Sequence, residues 1–373
     1  MKLYLVAGEA SGDARGSELM RALRERIPDV QFLGAGGREM RALGGDAVFD
    51  WADEAVVGLW DVLKKYGYFR RQFHRMLAEI EQAKPDALVT IDYPGFNMRL
   101  ANAAKERMSK LRTIHYISPQ VWAWHRGRIP KLARFLDLML CLFPFEVPLY
   151  ADAGLRAVCV GHPLLDSLAG KKEGQIRDPS LVALLPGSRS KEVRKIFPVM
   201  LEAAARLKNA RPALRFEVAA ASETLADEMN AILRAQDRGK SFCPVTLRTA
   251  HDLMQRAGAG MVCSGTATLE GTFFGLPMVI LYKVAWLTYV VGRQLVKIPF
   301  LGLPNVLAGR EIVREFLQGA AEPKPVADEI LRLLDDSASR ETQQRAQAEV
   351  IASLGERGAA MRAAEAIATT LAV

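Results

Sequence analysis

Short apolar runs alternate with longer amphipathic segments along most of the chain, and this alternation restricts the fold more than any other feature. Strands that alternate with helices form mostly parallel sheets, because each parallel connection needs a crossover. In the first half the predicted strands are 3–7, 30–33, 87–91, 113–117, 136–142 and 157–160. In the second half they are 181–185, 214–219, 245–248, 261–263 and 278–282. The pattern predicts an α/β fold with two doubly wound sheets.

The two sets of strands indicate two domains. The chain has 373 residues, half of them hydrophobic, which is enough for two cores. The stretch 161–180 lacks periodicity and is rich in Gly, Lys and Asp, so it is the best linker candidate. We therefore predict Rossmann-like domains at 1–167 and 168–345 and a helical tail at 346–373. The segment from Ser337 onward is expected to be helical without an internal loop.

The cysteines and the N-terminal sequence indicate a cytoplasmic protein. The four cysteines show no C-x-x-C spacing, and the first residues contain too few apolar side chains for a signal peptide. The most hydrophobic zone, 273–296, is interrupted by Pro277, Lys283 and Arg293, so no membrane span is expected. The formal net charge of +8 favours acidic partners, namely phosphorylated metabolites, an anionic lipid surface or nucleic acid.

Several cofactor and metal signatures are absent from the sequence. It contains no G-x-x-x-x-G-K-[ST] phosphate loop, no H-E-x-x-H zinc motif and no Asp-x-Asp pair of the kind that holds Mg²⁺ in sugar transferases. The segment GAGGREM departs from the dinucleotide fingerprint at Glu39, where a third glycine would stand. We therefore expect neither a metal nor a cofactor.

The stretch LLPGSR follows predicted strand 181–185 and opens a charged helix. Ser188 offers an amide and a hydroxyl, and Arg189 offers a planar guanidinium, a combination that suits a diphosphate. The structural alternative is that Arg189 only pairs with Glu192 on the helix surface.

The stretch SGTATLE follows predicted strand 261–263 in the same way. Ser264, Gly265 and Thr266 stand at a helix N-terminus, where amides and the helix dipole favour a phosphate. Glu270 is placed to accept hydrogen bonds from a ribose diol. A plain helix cap is the alternative. A diphosphate loop and a ribose acid in one domain together indicate a nucleoside diphosphate.

Two further loops follow strands of the first half. The loop GEASGD after strand 3–7 offers backbone amides to an anion, with Ser11 or Asp13 as the expected N-cap of the next helix. A tight turn with a cap is the alternative. In IDYPGFN, Asp92 follows strand 87–91, and Pro94 and Gly95 are expected to turn the chain into a helix that starts near Asn97.

Six motifs carry a resemblance to a known family. AGEASGD, IDYPGFN, HYISPQVWAWHRGR, LLPGSR, SGTATLE and LPNVLAGREIVREFLQ occur in this order and span residues 7–318. They resemble the lipid A disaccharide synthases, glycosyltransferase family 19. Some members carry a second acid where this chain has Gly95, so a role for that acid does not apply here.

The resemblance implies the GT-B fold, in which two Rossmann-like domains face each other across a cleft. It places the nucleotide in the C-terminal half and the acceptor in the N-terminal half. It further implies transfer of 2,3-diacylglucosamine from its UDP derivative to the 6-hydroxyl of 2,3-diacylglucosamine 1-phosphate, with inversion, to give a β1→6 disaccharide and UDP.

The family pattern also singles out a base. A sugar hydroxyl needs a group that takes its proton during attack, and the resemblance points to Asp92, with Asp13 as the rival base or an orienting residue. His115 is less favoured because it lies inside an apolar strand. The residues expected to form the acceptor site and its loops are Gly8, Glu9, Ser11, Gly12, Asn97 and Asn305.

A helix at 56–76 is expected to contact the cytoplasmic face of the inner membrane, because the acyl chains of the substrates lie there. The predicted patch contains Val62, Leu63, Lys64, Lys65, Phe69, Arg70 and Arg71. Packing of the apolar side chains in the core is the alternative. The segment from Leu303 to the tail is expected to join two protomers in a homodimer.

Two other functions compete with this interpretation. One is another UDP-N-acetylglucosamine enzyme of the same fold, such as the peptidoglycan transferase or a 2-epimerase. The other is a basic, non-catalytic nucleic-acid-binding protein, for which 60–75 is the only plausible basic stripe. SPQVWAWHRGR and IDYPGFN favour the lipid A disaccharide synthases over these alternatives, and we expect no nucleic acid partner.

Overall fold

The computed structural model describes residues 1–51, 66–121, 126–172, 174–239, 241–283 and 299–372. The chain divides into two compact units. The first unit contains Met1–Ser167 and Leu354–Val373, and the second contains Leu168–Ser353. The expected tail at 346–373 is thus shared, since its first residues belong to the second unit and the rest to the first.

The first unit is built on a parallel sheet. Among the described residues its strands are β1 (Lys2–Ala7), β2 (Gln31–Gly36), β3 (Val48–Asp50), β4 (Ala87–Ile91), β5 (Arg112–Tyr116), β6 (Leu138–Cys141) and β7 (Ala157–Cys159). Their order is β3-β2-β1-β4-β5-β6-β7. The chain therefore reverses its direction of progress between β1 and β4, the position where doubly wound sheets bind ligands.

Helices cover both faces of this sheet, as a parallel sheet requires. Between Met1 and Ser167 the described α-helices are α1 (Ala10–Arg26), α2 (Arg38–Gly44), α3 (Tyr66–Ala83), α4 (Pro94–Arg107), α5 (Ile129–Leu132), α6 (Glu146–Ala151) and α7 (Leu164–Ser167). Leu5 and Val89 pack on one face against α1, while Val6 and Leu88 pack on the other against α3 and α4. Each face of this sheet thus has its own hydrophobic core.

The second unit repeats the design with another parallel sheet. Its described strands are β8 (Asp178–Leu185), β9 (Arg215–Ala220), β10 (Val245–Leu247), β11 (Ala257–Cys263), β12 (Met278–Tyr282) and β13 (Glu315–Leu317), in the order β10-β9-β8-β11-β12-β13. The helices that follow are α8 (Ser190–Ala210), α9 (Glu223–Ala235), α10 (Ala250–Arg256), α11 (Thr266–Phe273), α12 (Leu303–Ala308), α13 (Pro323–Asp335), α14 (Ser337–Ser353) and α15 (Ala359–Thr370). The order reverses between β8 and β11.

Three features of the sheets differ from the sequence prediction. The short edge strands β3 and β13 were not predicted, because each contains only two apolar residues next to an acidic one, Asp50 in β3 and Glu315 in β13. β11 begins at Ala257, four residues earlier than expected. Gly258 and Gly260 interrupt the apolar pattern at its start, and glycine is uncommon inside strands. A Cβ at Gly258 would lie 2.8 Å from the carbonyl oxygen of Asp178, and one at Gly260 would lie 2.7 Å from Leu276. Gly258 faces backbone atoms, so a side chain does not fit there, whereas a side chain at Gly260 would require Leu276 to shift.

The tail also differs from the prediction of an unbroken helix. α14 and α15 are separated by a loop in which Gly355 and Gly358 adopt φ angles of +86° and +93°. α14 belongs to the second unit, where the side-chain amide of Gln343 donates to the carbonyl oxygen of Met278 at 3.1 Å. α15 packs its alanines and Ile367 into the core of the first unit beside α1.

The expected linker contains a side chain that is part of the second unit. Arg177 donates from Nη1 to the carbonyl oxygens of Met254 at 2.7 Å and Ala257 at 2.8 Å, and from Nη2 to that of Phe274 at 2.5 Å. These carbonyls lie at the C-terminal ends of α10 and α11, where a cation is favoured. Burial lowers the pKa of Arg177 to about 10. Arg177 therefore fixes the C-terminal ends of two helices of the second unit.

Replacing Arg177 with alanine should destabilise the protein. The three carbonyls would lose a charged donor, which we expect to lower the free energy of unfolding by about 2–4 kcal/mol. Chemical denaturation followed by circular dichroism measures this loss. Lys172→Ala, an exposed residue of the same stretch, is the matched control and should change little. Equal stability of the two variants would contradict the assigned role.

Candidate nucleotide and acceptor sites

The turn between β8 and α8 lies at the point where the strand order of the second sheet reverses. Gly187 adopts φ +113°, a conformation that side chains rarely tolerate. It allows the chain to leave the buried strand and enter the helix with Arg189 in extended conformation at the N-cap position. Arg189 is 61% exposed and its Nη1 lies 3.0 Å from Oε1 of Glu192. The structure therefore contains the surface ion pair between Arg189 and Glu192 that was the alternative to ligand binding.

The turn between β11 and α11 lies beside it, because β11 and β8 are neighbours. Gly265 precedes the helix with φ +152°. The amide of Ser264 donates to the carbonyl oxygen of Leu281 at 2.9 Å, so that amide is committed to the sheet. The hydroxyl of Ser264 lies 3.4 Å from the carbonyl oxygen of Leu301. A ligand here would meet the Ser264 hydroxyl and the first amides of α11 rather than the Ser264 amide.

These two turns form one pocket of about 440 Å³. All the residues predicted to bind the nucleotide line it, namely Ser188, Arg189, Ser264, Gly265, Thr266 and Glu270. The volume is in the range of ordinary ligand pockets. The tertiary structure thus brings together two loops that are about 75 residues apart in sequence.

Sequence reasoning did not assign Glu192, Arg248, His251 and Cys263 to this pocket, although all four line it. Arg248 and His251 follow β10, and their position after a strand was the available signal. Arg248 adopts φ +57°, which is rare for a side chain of its size. Nε2 of His251 lies 3.6 Å from Oε1 of Glu270. The proposed ribose acid therefore has an imidazole beside it.

The loop after β4 carries Asp92 at the reversal point of the first sheet. Asp92 and Tyr93 have φ angles of +48° and +46°, although neither is glycine. Such conformations cost about 1–3 kcal/mol each and persist only where the surroundings hold them. Asp92 is partly buried. Burial raises its pKa, and a hydrogen bond from the Tyr93 backbone partly offsets this effect.

Asn97 and Gly8 hold this strained loop. The Asn97 side-chain amide is fully buried and donates to the carbonyl oxygens of Asp92 at 2.8 Å, Ile91 at 3.1 Å and Val6 at 3.4 Å. Gly8 lies directly against the ring of Tyr93, and any Cβ there would overlap the ring. α4 begins at Pro94, not near Asn97 as expected, because proline fits the first position of a helix. Asn97 is therefore an anchor of the backbone.

Asp13 is placed differently from the sequence prediction. Glu9 is the N-cap of α1, and neither Ser11 nor Asp13 caps this helix. The buried carboxylate of Asp13 instead accepts three backbone hydrogen bonds, at 2.7 Å from Gly37, 2.8 Å from Glu39 and 3.0 Å from Met40. It holds the N-terminus of α2 in the loop after β2. Ser11 is exposed and Gly12 packs between Ala7 and the Ile91 carbonyl.

His115 and Asn305 are also buried. His115 is fully enclosed, its Nδ1 lies 2.8 Å from the Thr90 hydroxyl, and burial lowers its pKa to about 3. Asn305, expected in the acceptor site or its loops, has no exposed surface. Its oxygen accepts from the amides of Ile312 and Val313, and its nitrogen donates to Glu315. Asn305 therefore organises the loop beyond α12 and its side chain is not available to a ligand.

The predicted membrane patch is corrected in part. Val62, Leu63, Lys64 and Lys65 lie outside the described residues. Phe69 is a core residue, because its ring packs 6.3 Å from that of Trp51 and 6.4 Å from that of Phe96. Arg70 and Arg71 are exposed on the opposite side of α3. Core packing thus explains this end of the apolar stripe.

Solved structures share the overall fold of this chain. A putative UDP-N-acetylglucosamine 2-epimerase from Listeria monocytogenes matches with a TM-score of 0.67 at 14% identity, over 99% of this chain and 96% of that chain. MurG from Acinetobacter baumannii matches with a TM-score of 0.56 at 12% identity, over 99% of each chain. Together with the two doubly wound sheets, these matches confirm the GT-B fold class.

Sequence comparison then gives the family within this class. Residues 3–369 match the family described as lipid-A-disaccharide synthetase. A lipid-A-disaccharide synthase of Pseudomonas aeruginosa (strain UCBPP-PA14) is 40% identical over 350 residues, which cover 91% of each chain. The chain therefore belongs to the lipid-A-disaccharide synthetase family. The 2-epimerase and MurG structures share only its fold, and the family match sets aside the non-catalytic alternative.

Replacing Asp13 with asparagine should lower stability. An amide nitrogen would face one of the backbone donors that the carboxylate now satisfies, at a cost of about 1–3 kcal/mol. The shift in Tm and the midpoint of urea unfolding measure this cost. Asp46→Asn, fully exposed in the same unit, is the control. A variant that kept wild-type stability but lost kcat would show that Asp13 acts in the chemistry instead.

Proposed function

We propose that this protein is an inverting, metal-independent glycosyltransferase. It transfers 2,3-diacylglucosamine from UDP-2,3-diacylglucosamine to the 6-hydroxyl of 2,3-diacylglucosamine 1-phosphate and releases the β1→6 disaccharide and UDP. Membership of the lipid-A-disaccharide synthetase family supports this reaction. The observation that carries the assignment of the site is that all the predicted nucleotide-binding residues line one pocket.

In this proposal the pocket of the second unit holds the UDP group. Arg189 neutralises charge that develops on the departing diphosphate, and the Ser264 hydroxyl and the amides at the start of α11 donate to it. Ser188 supplies a further donor from the neighbouring turn. Glu270 accepts hydrogen bonds from the ribose. Interactions with the leaving group strengthen as the glycosidic bond breaks, so they favour the transition state over bound substrate.

The first unit supplies the base. Asp92 stands at the carboxyl end of β4, and its raised pKa makes it a stronger base than an exposed aspartate. The carboxylate takes the proton of the acceptor 6-hydroxyl as the oxygen attacks the anomeric carbon. One direct displacement inverts the configuration and needs no covalent sugar intermediate. Asp13 orients the neighbouring loop through α2 and is not the base, because its carboxylate is occupied by three amides.

Mass spectrometry tests the reaction itself. Purified protein is mixed with the two acylated glucosamine substrates in detergent, and the product is identified by mass and by the configuration of its glycosidic linkage. The expected product is the β1→6 disaccharide 1-phosphate together with one equivalent of UDP. Release of UDP without disaccharide, or an α-linked product, would contradict the proposal.

Replacing Arg189 with alanine should lower kcat/KM by about 30- to 10³-fold, which corresponds to about 2–4 kcal/mol of transition-state stabilisation. The reason is the loss of a charged donor to the leaving group. Arg194→Ala, on the same helix and outside the pocket, is the matched control. Near-normal kcat/KM and UDP affinity in Arg189→Ala would contradict the role of Arg189.

Replacing Asp92 with asparagine should lower kcat by about 10²–10⁴-fold while UDP still binds. In the wild type, kcat should fall as the pH drops through the raised pKa of Asp92, because only the ionised carboxylate accepts a proton. This acidic limb should lie above that of an ordinary aspartate and be absent in Asp92→Asn. Asp29→Asn, an exposed residue of the same unit, is the control for both measurements. Full-speed turnover by Asp92→Asn would rule out this base.

We also propose that the protein works on the cytoplasmic face of the inner membrane. Both substrates carry acyl chains, and the exposed Arg70 and Arg71 provide positive charge for anionic lipid. No helix among the described residues is long and apolar enough to cross a bilayer. We further propose that the protein forms a homodimer in which the segment from Leu303 onward joins the two protomers.

A further inference from the structure

A carboxylate lies inside the pocket assigned to the diphosphate. Glu192 belongs to the first turn of α8, and its side chain is 24% exposed. A Cβ atom at Gly187 would lie 2.5 Å from Oε2 of Glu192 and 3.3 Å from Sγ of Cys263. The carboxylate therefore covers the glycine turn, at the carboxyl ends of β8 and β11. Its other oxygen accepts a hydrogen bond from Arg189 at 3.0 Å.

The negative charge of Glu192 reaches the neighbouring strands. The pKa of the Cys263 thiol is raised to about 12, chiefly by burial and secondly by the charge of Glu192. The same charge contributes to the raised pKa of Tyr282, after burial and Cys263.

An acid in this position conflicts with the proposed ligand. A diphosphate carries negative charge, and it would have to approach the same turn and the same guanidinium. Like charges at a few ångströms repel each other appreciably, even near a protein surface. Glu192 also competes for Arg189, which a diphosphate would otherwise engage in a bidentate manner. The helix dipole stabilises an acidic side chain in the first turn. This stabilisation does not require the carboxylate of Glu192 to lie over Gly187.

We propose that Glu192 sets the affinity of the pocket for the diphosphate. In the ligand-free protein the carboxylate neutralises Arg189, and the incoming diphosphate replaces it as the partner of the guanidinium. This exchange weakens the binding of UDP and thereby speeds the release of the product. The inference rests on the proposed function of the pocket and adds a residue that limits its affinity.

Glu192→Gln tests this inference, because glutamine keeps the size of the side chain and an acceptor for Arg189 but removes the charge. Isothermal titration at low ionic strength should show UDP binding about 5- to 20-fold more tightly than in the wild type. Uridine, which has no phosphate, should bind the two proteins equally. The difference for UDP should shrink as salt is added, because salt screens the repulsion. Product inhibition by UDP should strengthen by a similar factor.

Glu202→Gln, exposed on the same helix and outside the pocket, is the control and should bind UDP like the wild type. If Glu192→Gln does not fold, Glu192→Ala replaces it in the same titrations. Unchanged or weaker UDP binding by a folded Glu192 variant would overturn the inference and show that the acid only aligns Arg189 or supports the helix. Failure of the wild-type protein itself to bind UDP would instead contradict the proposed function of the pocket.

Discussion

Parallel hydrogen bonding of the strands is the constraint on which the rest of this structure depends. Every strand pair among the described residues is parallel, in both sheets. Parallel neighbours need crossover connections, and these place helices on both faces of each sheet. All strands of a sheet then end at one edge. The loops that follow β8 and β11, or β1 and β4, meet there although they are distant in sequence.

The two edges achieve their loop geometry in different ways. In the second unit the turns rely on Gly187 and Gly265, which adopt positive φ angles at little cost. In the first unit Asp92 and Tyr93 adopt such angles as ordinary residues. The strain is offset by the Asn97 hydrogen bonds and by the packing of Gly8 on Tyr93. A partly buried carboxylate on a strained backbone is a feature typical of a site that acts on a ligand.

Several buried polar side chains serve the backbone. Asp13, Asn97 and Asn305 satisfy amides and carbonyls of loops that lie at or near the carboxyl edges. Each was a candidate ligand residue from sequence, since a motif does not distinguish a side chain that binds a ligand from one that holds the loop. Arg177 is the opposite case, a structurally important residue that no sequence motif indicated. It lies in a stretch that resembles a linker, yet it joins the ends of α10 and α11.

The sequence by itself determined the fold class, most of the strands and the loops that carry the candidate site. Short apolar runs and turn residues after strands are local signals, and the order of the motifs identified the family. Only the tertiary structure decided the edge strands β3 and β13, the assignment of α15 to the first unit and the burial of Phe69. It also placed Glu192 over Gly187 and His251 beside Glu270. These features depend on contacts between segments far apart in the chain, and no local pattern of residues encodes which distant neighbour a side chain will meet.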